Sequence, residues 1–297
     1  MGVKTSFSIK DLENLSGVKA HTIRIWEKRY ALLTPERSDT NIRTYNIVGL
    51  QKLLNVAFLN DNGIKVSKIA EFSDSEIYSK VKELSLNNDS DKLYISTFKV
   101  AMLNFDQELF DVTYNKMLAT CSFREIFQGT FLQLLDEIGL LWMTNTITPA
   151  HEHFISTLIQ QKLQINIERV QGASPNADNT FVLFLPLNEI HELGLMYLHF
   201  ELLLKGYKSI YLGPSVPVEN LLELKKIFNN ITFISYFTVA PEMNMVPKYL
   251  EKFTSLLLEN KNEHLYILGR NTKGLDVSSI SSQISVHDKI SDLLKSV

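Results

Sequence analysis

A single cysteine, Cys121, serves all 297 residues. That excludes an internal disulfide and any metal site built from several thiolates, and it fits a reducing compartment. No hydrophobic run approaches the roughly 20 residues that a membrane span needs. The first residues, MGVKTSFSIK, hold no apolar signal core, so a soluble cytoplasmic protein is expected. Charge of one sign is not in excess: 30 Lys and Arg face 33 Asp and Glu, a net −3 that excludes a polycation along the whole length. A P-loop, a nucleophile elbow and paired catalytic carboxylates are all missing, so the chain does not read as an enzyme. Internal repeats and low-complexity tracts are absent too. What remains is ordinary globular composition, 45% hydrophobic and 21% charged, at a length for two or three domains.

The small net charge hides an asymmetry. Residues 1–74 hold 11 Lys and Arg against 8 Asp and Glu, a local +3, which leaves −6 for the remainder. A basic end on an acidic protein suits local contact with duplex DNA. Within it, Ser8 precedes a capped short helix, Ile9 to Leu15. Ser16-Gly17-Val18 reads as a tight turn and Lys19 to Tyr30 as a second helix, with Ile23 and Trp26 on its inner face. Lys19, His21, Thr22 and Arg24 fall near its start or on its other face, and Tyr30 ends it. Two short helices around a glycine turn are a helix-turn-helix signature, whose second helix reads the major groove. The polar stretch Leu33 to Tyr45 then predicts a hairpin from which Arg37, Arg43 and Tyr45 reach phosphates. Asn46 caps a further helix that Gly63 stops, and Val66 to Ala70 start another. The string IRIWEKRY-ALLTPERSDTNIRTY closely resembles the winged helix-turn-helix of MerR-type regulators. Metal-sensing relatives use cysteines after a long dimerising helix; this chain has neither, so its signal enters elsewhere.

A polar break, Asn87 to Asp91, separates this end from a helical middle. Leu93–Leu103, Glu108–Ala119, Ser122–Met143 and a helix from Pro149 to Ile167 have short connections and predict a four-helix bundle. Trp142 closes the third helix, and His151-Glu152-His153 begins the fourth. This resembles the W…EH signature in the helical cap of cobalamin-dependent photoreceptor regulators, the CarH/LitR group. The resemblance implies that Trp142, Glu152 and His153 cover the upper face of adenosylcobalamin. A plain bundle-core tryptophan with dipole-favoured polar residues is the alternative. One departure matters: where that family has a histidine after the tryptophan, this chain has Met143.

After the connector Gln171–Asp178, strand and helix alternate. Strands are predicted at Phe181–Leu187, Ser209–Leu212, Ile231–Phe237, Leu265–Leu268 and, more weakly, Ile284–Val286. Helices are predicted at Leu193–Lys205, Val218–Phe228, Met243–Leu258 and Lys289–Lys295. That pattern gives a doubly wound, flavodoxin-like (Rossmann-like) parallel sheet, with its binding loops at the C-terminal edge. The loop after the first strand reads Glu189-Ile190-His191-Glu192-Leu193-Gly194. A neutral imidazole there can ligate a metal, Glu189 can fix its tautomer, and Gly194 permits close approach. An ordinary hydrogen-bonded loop histidine is the bland alternative. The spacing resembles the E/D-x-H-x-x-G loop of cobalamin-binding domains, which implies that His191 is the lower axial ligand to cobalt. By the same resemblance Ser235 lies in the loop that contacts the cofactor's nucleotide tail. Gly269 stands where the family has a double glycine, here Gly269-Arg270.

The domains expected are therefore a DNA reader at 1–75, a helical cap at 76–170 and a cobalamin-binding α/β domain at 179–297. In that order they resemble CarH/LitR regulators over nearly the whole chain. The resemblance implies a homo-dimeric or tetrameric repressor that holds adenosylcobalamin between cap and sheet and leaves DNA when illuminated. Two other readings stay open. One is a regulator that senses cobalamin or another tetrapyrrole without light. The other is a corrinoid carrier for methyl transfer, which the DNA reader argues against.

Overall fold

Two side-chain caps start the N-terminal helices where the sequence places them. In the computed structural model, which describes residues 6–37, 42–87, 91–144, 146–172 and 176–297, Ser8 accepts from Asp11 N while the Asp11 carboxylate accepts from Ser8 N at 2.7 Å. This reciprocal pair opens α1, Ile9–Ser16, and Gly17, at φ +71°, closes it. Helix α2, Ala20–Tyr30, follows. Three short strands, β1 (Phe7–Ser8), β2 (Glu36–Arg37) and β3 (Arg43–Tyr45), form an antiparallel sheet in the order β1-β3-β2. The expected hairpin is thus present, although residues 38–41 at its tip lie outside the described residues. Asn46 caps α3, Ile47–Asp61, by accepting from Gly49 N at 2.9 Å.

The chain divides into two compact units, residues 1–159 and 160–297. In the first, α3 packs on α5 (Asp74–Asn87) and α6 (Asp91–Asn104), with the short α4 (Val66–Ile69) between them in sequence. The reader helices and the helices after them therefore share one unit. Helix α7 (Gln107–Leu118) lies against α6, and the expected Ser122–Met143 helix is three segments. These are α8 (Phe123–Ile126), a π-helical turn (Phe127–Phe131) and α9 (Leu132–Met143). Phe98, Phe110, Tyr114, Phe127 and Phe131 form an aromatic core here, with ring centroids 4.9 to 6.5 Å apart. Helix α10, Pro149–Val170, runs across the division between the units.

The second unit is a five-stranded parallel sheet in the order β5-β4-β6-β7-β8. Its strands are β4 (Asn176–Phe184), β5 (Tyr207–Gly213), β6 (Ile231–Tyr236), β7 (His264–Leu268) and β8 (Ile284–Val286). That is the flavodoxin-like order, with its switch point beside β4. Side-chain alternation sorts the core into two layers. Val182 and Phe184 face one layer, with Leu250 and Phe253 of α13 (Val246–Leu257). Phe181 and Leu183 face the other, with Leu195 and Leu198 of α11 (Leu193–Leu204) and Leu293 of α14 (Ile290–Leu293). Strand β4 ends at Phe184 rather than Leu187, because Pro186 has no N–H to continue a ladder. The helix expected from Val218 begins as a 3-10 turn and leaves only α12, Leu222–Lys225. The connectors at 88–90 and 173–175 lie outside the described residues. Among the described residues no helix is long and apolar enough to cross a membrane.

Candidate functional site

The loop after β4 is built around one buried carboxylate. Glu189 is fully buried, and its Oε1 accepts from Ile190 N and His191 N, both at 3.0 Å. Its Oε2 accepts from three successive amides of the loop after β6: Thr238 (2.9 Å), Val239 (2.6 Å) and Ala240 (2.9 Å). His191 completes the set, with Nδ1 at 2.5 Å from Oε1. Burial alone would push the Glu189 carboxyl up, but the His191 bond and the backbone amides outweigh it and hold it at about 2. The carboxylate is therefore ionised and holds the imidazole proton on Nδ1, so that in the neutral ring Nε2 is the nitrogen a metal would use. The His191 side chain is 51% exposed although its anchor is not. Around it Leu187, Ile190 and Val239 are each more than half exposed. An imidazole with a fixed tautomer, amid exposed apolar side chains at the C-terminal edge of a parallel sheet, can present one nitrogen to a metal in a flat apolar ligand.

Glu192, which the sequence reading passed over, braces this loop from behind. It accepts from Tyr211 Oη of β5 and from Gln160 Nε2 of α10, both at 2.7 Å. Ser235 is fully buried, and its hydroxyl donates to the Phe184 carbonyl at 2.8 Å. Gly194 sits in the first turn of α11, where a Cβ would stand 3.4 Å from Tyr236 Cζ. Gly269, at φ +114°, lets its backbone cross Phe237, since a Cβ there would fall 2.5 Å from the Phe237 carbonyl oxygen. The glycine is thus required by β6–β7 packing itself.

In the first unit, Trp142 lies in the last turn of α9 with 45% of its surface exposed. Glu152 and His153 pair with each other, Oε2 to Nδ1 at 2.8 Å, while Ser156 donates to Glu152 Oε1 at 2.6 Å. His151 differs from its neighbour. It is buried, stacks on Phe105 at 4.8 Å, and its Nδ1 lies 2.9 Å from Thr148 Oγ1. It serves the start of α10. The Met143 side chain lies outside the described residues. No cluster of three or more His, Cys, Asp or Glu that could hold a metal occurs among the described residues.

At the N-terminal end, Lys19, His21 and Arg24 are exposed, while Thr22 and Tyr30 are half-buried. Lys28 and Arg29 are also exposed, and Lys28 continues the His21–Arg24 face one turn on. The hairpin residues divide. Arg37 is exposed. Arg43 pairs through Nε with Glu27 at 3.2 Å, and Tyr45, only 2% exposed, donates its hydroxyl to the same carboxylate. The expectation that Tyr45 reaches a phosphate therefore meets a buried side chain that clamps the hairpin to α2.

Comparison with known proteins agrees with this layout. Residues 7–76 match the MerR HTH family regulatory protein model, and residues 94–165 match the B12 binding domain model. The chain is 27% identical over 222 residues to the HTH-type transcriptional repressor CarH of Myxococcus xanthus, covering 73% of each. To the repressor CarA of the same organism it is 26% identical, over 72% of this chain and 70% of that one. Among solved structures, the monomethylamine corrinoid protein of Methanosarcina barkeri superposes with a TM-score of 0.58 at 12% identity. That match covers 70% of this chain and 98% of the other, and it shows a shared fold. With a match to the MerR HTH model at one end and to the B12 binding domain model after it, the chain has the make-up of a B12-binding, DNA-binding transcriptional regulator and is similar to CarH and CarA.

Proposed function

We propose that the chain is a cytoplasmic transcriptional repressor that binds adenosylcobalamin and lets it decide whether DNA is held. One observation carries this: the exposed His191 imidazole, its tautomer fixed by a buried, ionised Glu189. The donor fits the lower face of a corrin. One ring nitrogen faces away from the carboxylate that orients the imidazole from behind, and apolar side chains surround it. His191 would hold the cobalt of the cofactor, and Glu189 would be its positioning residue. The exposed Trp142 indole and the Glu152–His153 pair are assigned to the upper ligand, by packing and by hydrogen bonding. The bound cofactor would supply a light-sensitive cobalt–carbon bond. Ser235 and Gly269 are assigned to the tail side of the cofactor, with Gly194.

The remainder of the proposal concerns the reader and the assembly. Residues 1–75 act as a winged helix-turn-helix, α2 in the major groove and the β2–β3 hairpin as the wing, with Lys19, His21, Arg24 and Arg37 exposed and Thr22 half-buried beside them. The helices behind it act as a four-helix bundle cap, and the regulator works as a homo-oligomer. Purification with adenosylcobalamin in darkness tests the ligand: red colour that survives desalting is expected. In His191→Ala the visible spectrum of the bound corrinoid should lose its imidazole-ligated form. A colourless protein from wild type would end the proposal. Comparing DNA retardation in darkness and after illumination tests the response. Retardation that depends on the cofactor yet ignores light would favour a light-independent cobalamin sensor, the reading that Met143 motivates.

A further inference from the structure

A corrin offers cobalt one lower axial position. If His191 fills it, the cofactor's own lower base is displaced while remaining tethered to the ring edge. It must then lie on the His191 side, among the loops at the C-terminal edge of the sheet. The loop wall formed by Leu187 to Ile190 is fixed by Glu189 to the amides of residues 238–240. The opposite wall is the start of α11, three residues beyond His191, where Gly194 has no side chain. That space is filled. Tyr236, the last residue of β6, lies with Cζ 3.4 Å, and Cε1 and Oη 3.6 Å, from where a Gly194 Cβ would be.

The neighbours of Tyr236 cannot move aside cheaply. Ser235 is anchored through its hydroxyl to the Phe184 carbonyl, 2.8 Å away. Phe237 is held on both sides, its N–H donating to Leu268 O and its carbonyl accepting from Asn271 N, each at 2.8 Å. The Gly269 backbone presses on Phe237 from behind. The backbone of residues 235–237 is therefore fixed, and only rotation of the Tyr236 side chain can clear the Gly194 space. The Tyr236 ring packs there half-buried, and that burial pushes its hydroxyl pKa up.

We propose that Tyr236 is a specificity-determining gate for the lower nucleotide of the corrinoid. A corrinoid with a nucleotide tail binds only after the ring swings off Gly194, whereas a tail-less corrinoid binds with the ring in place. This rests on the corrinoid reading of His191 above.

The experiment follows absorbance on mixing the full chain, in darkness, with cobalamin or with tail-less cobinamide. Wild type should take up cobinamide more than about tenfold faster, because the tailed ligand alone must both surrender its own base and displace the half-buried Tyr236 ring. Tyr236→Ala should narrow that difference by about tenfold, leaving only the cost of surrendering the base. Tyr236→Phe, which keeps the ring and loses the hydroxyl, should retain the wild-type preference. Equal uptake of both corrinoids by wild type, with no change in Tyr236→Ala, would overturn the gate and leave His191 ligation standing. Failure of either corrinoid to bind any of the three proteins would overturn the gate together with the ligation it rests on. A preference lost in Tyr236→Phe as fully as in Tyr236→Ala would also overturn it, because the hydroxyl rather than the ring would then be responsible.

Discussion

Glu189 joins two loops through one carboxylate, and its folded-state pKa of about 2 against an ordinary 4.5 makes that junction pH-sensitive. A depressed carboxylate stabilises the fold fully above pH 4.5 and loses that contribution as pH falls towards 2. The amount at stake is on the order of 3 kcal/mol. Glu189→Gln should therefore lower stability at pH 7 while flattening the decline between pH 4.5 and 2, read by hydrogen exchange of the β4 and β6 amides. His199 titrates in a separate window. Burial against Ser209 and Tyr211 lowers it to about 4, so the unfolded chain binds a proton below pH 6.5 that the folded chain refuses. Stability present above pH 6.5 is lost as pH falls towards 4, and His199→Gln should remove that slope in the same exchange measurement. The two variants thus separate two acid transitions in one sheet. Glu189 and His191 were legible in the sequence because the pair stands two residues apart in one loop, so the carboxylate–imidazole contact is local. Tyr236 and Glu192 were not, because their partners, Gly194 for one and Gln160 and Tyr211 for the other, come together only when the sheet closes.

Helix α2 divides its surface between packing and outward charge. Ile23 and Trp26 are buried, whereas His21, Arg24, Ile25 and Lys28 form an exposed face at helical spacing. Each phosphate contact removed should lower the slope of log affinity against log salt by about 1. Arg24→Ala and Lys28→Ala should each do so in DNA retardation at several salt concentrations. Tyr45→Phe should behave differently. It removes the donor to Glu27, costing about 1 kcal/mol of reader stability, and leaves the salt slope unchanged. A slope reduced by a full unit in Tyr45→Phe would instead make Tyr45 a phosphate contact. Local chemistry made most of the fold's elements readable: the Ser8–Asp11 and Asn46 caps, the Gly17 stop, and five β-rich runs that became β4 to β8. Among the elements that escaped, two did so for clear physical reasons. The π-turn at Phe127–Phe131 differs from an α-helix by one residue per turn, too little to disturb the apolar period of the surrounding helix. Helix α5 shows few inward apolar positions, Ile77 and Val81 among them, and is held mainly by packing on α3.

At the scale of the molecule, the reader carries a net +3, enough for modest attraction to phosphate and too little for tight binding by one copy. A second reader held by the same assembly would act at high local concentration and raise avidity by roughly 10² to 10⁴ without any new contact. A ligand that favours the assembly would gain that factor, and loss of the ligand would forfeit it. The ligand must bind the two states differently for this to operate, because equal affinity shifts nothing. The alternative route is internal: a change near Trp142 passes along α9, whose Glu137, Leu140 and Leu141 line a cavity of about 330 Å³ shared with Asn14 and Ser16 of α1. Probe design separates the routes. Assembly control predicts that a two-half-site operator binds about a hundredfold more tightly with adenosylcobalamin in darkness, while a single half-site binds equally with or without it. Internal control predicts the same cofactor dependence on both probes. The low charge of each reader favours the first outcome. Retardation of the two probes, in darkness and after illumination, reads the difference directly, and a half-site that follows the cofactor as steeply as the full operator would move the switch from assembly to α9.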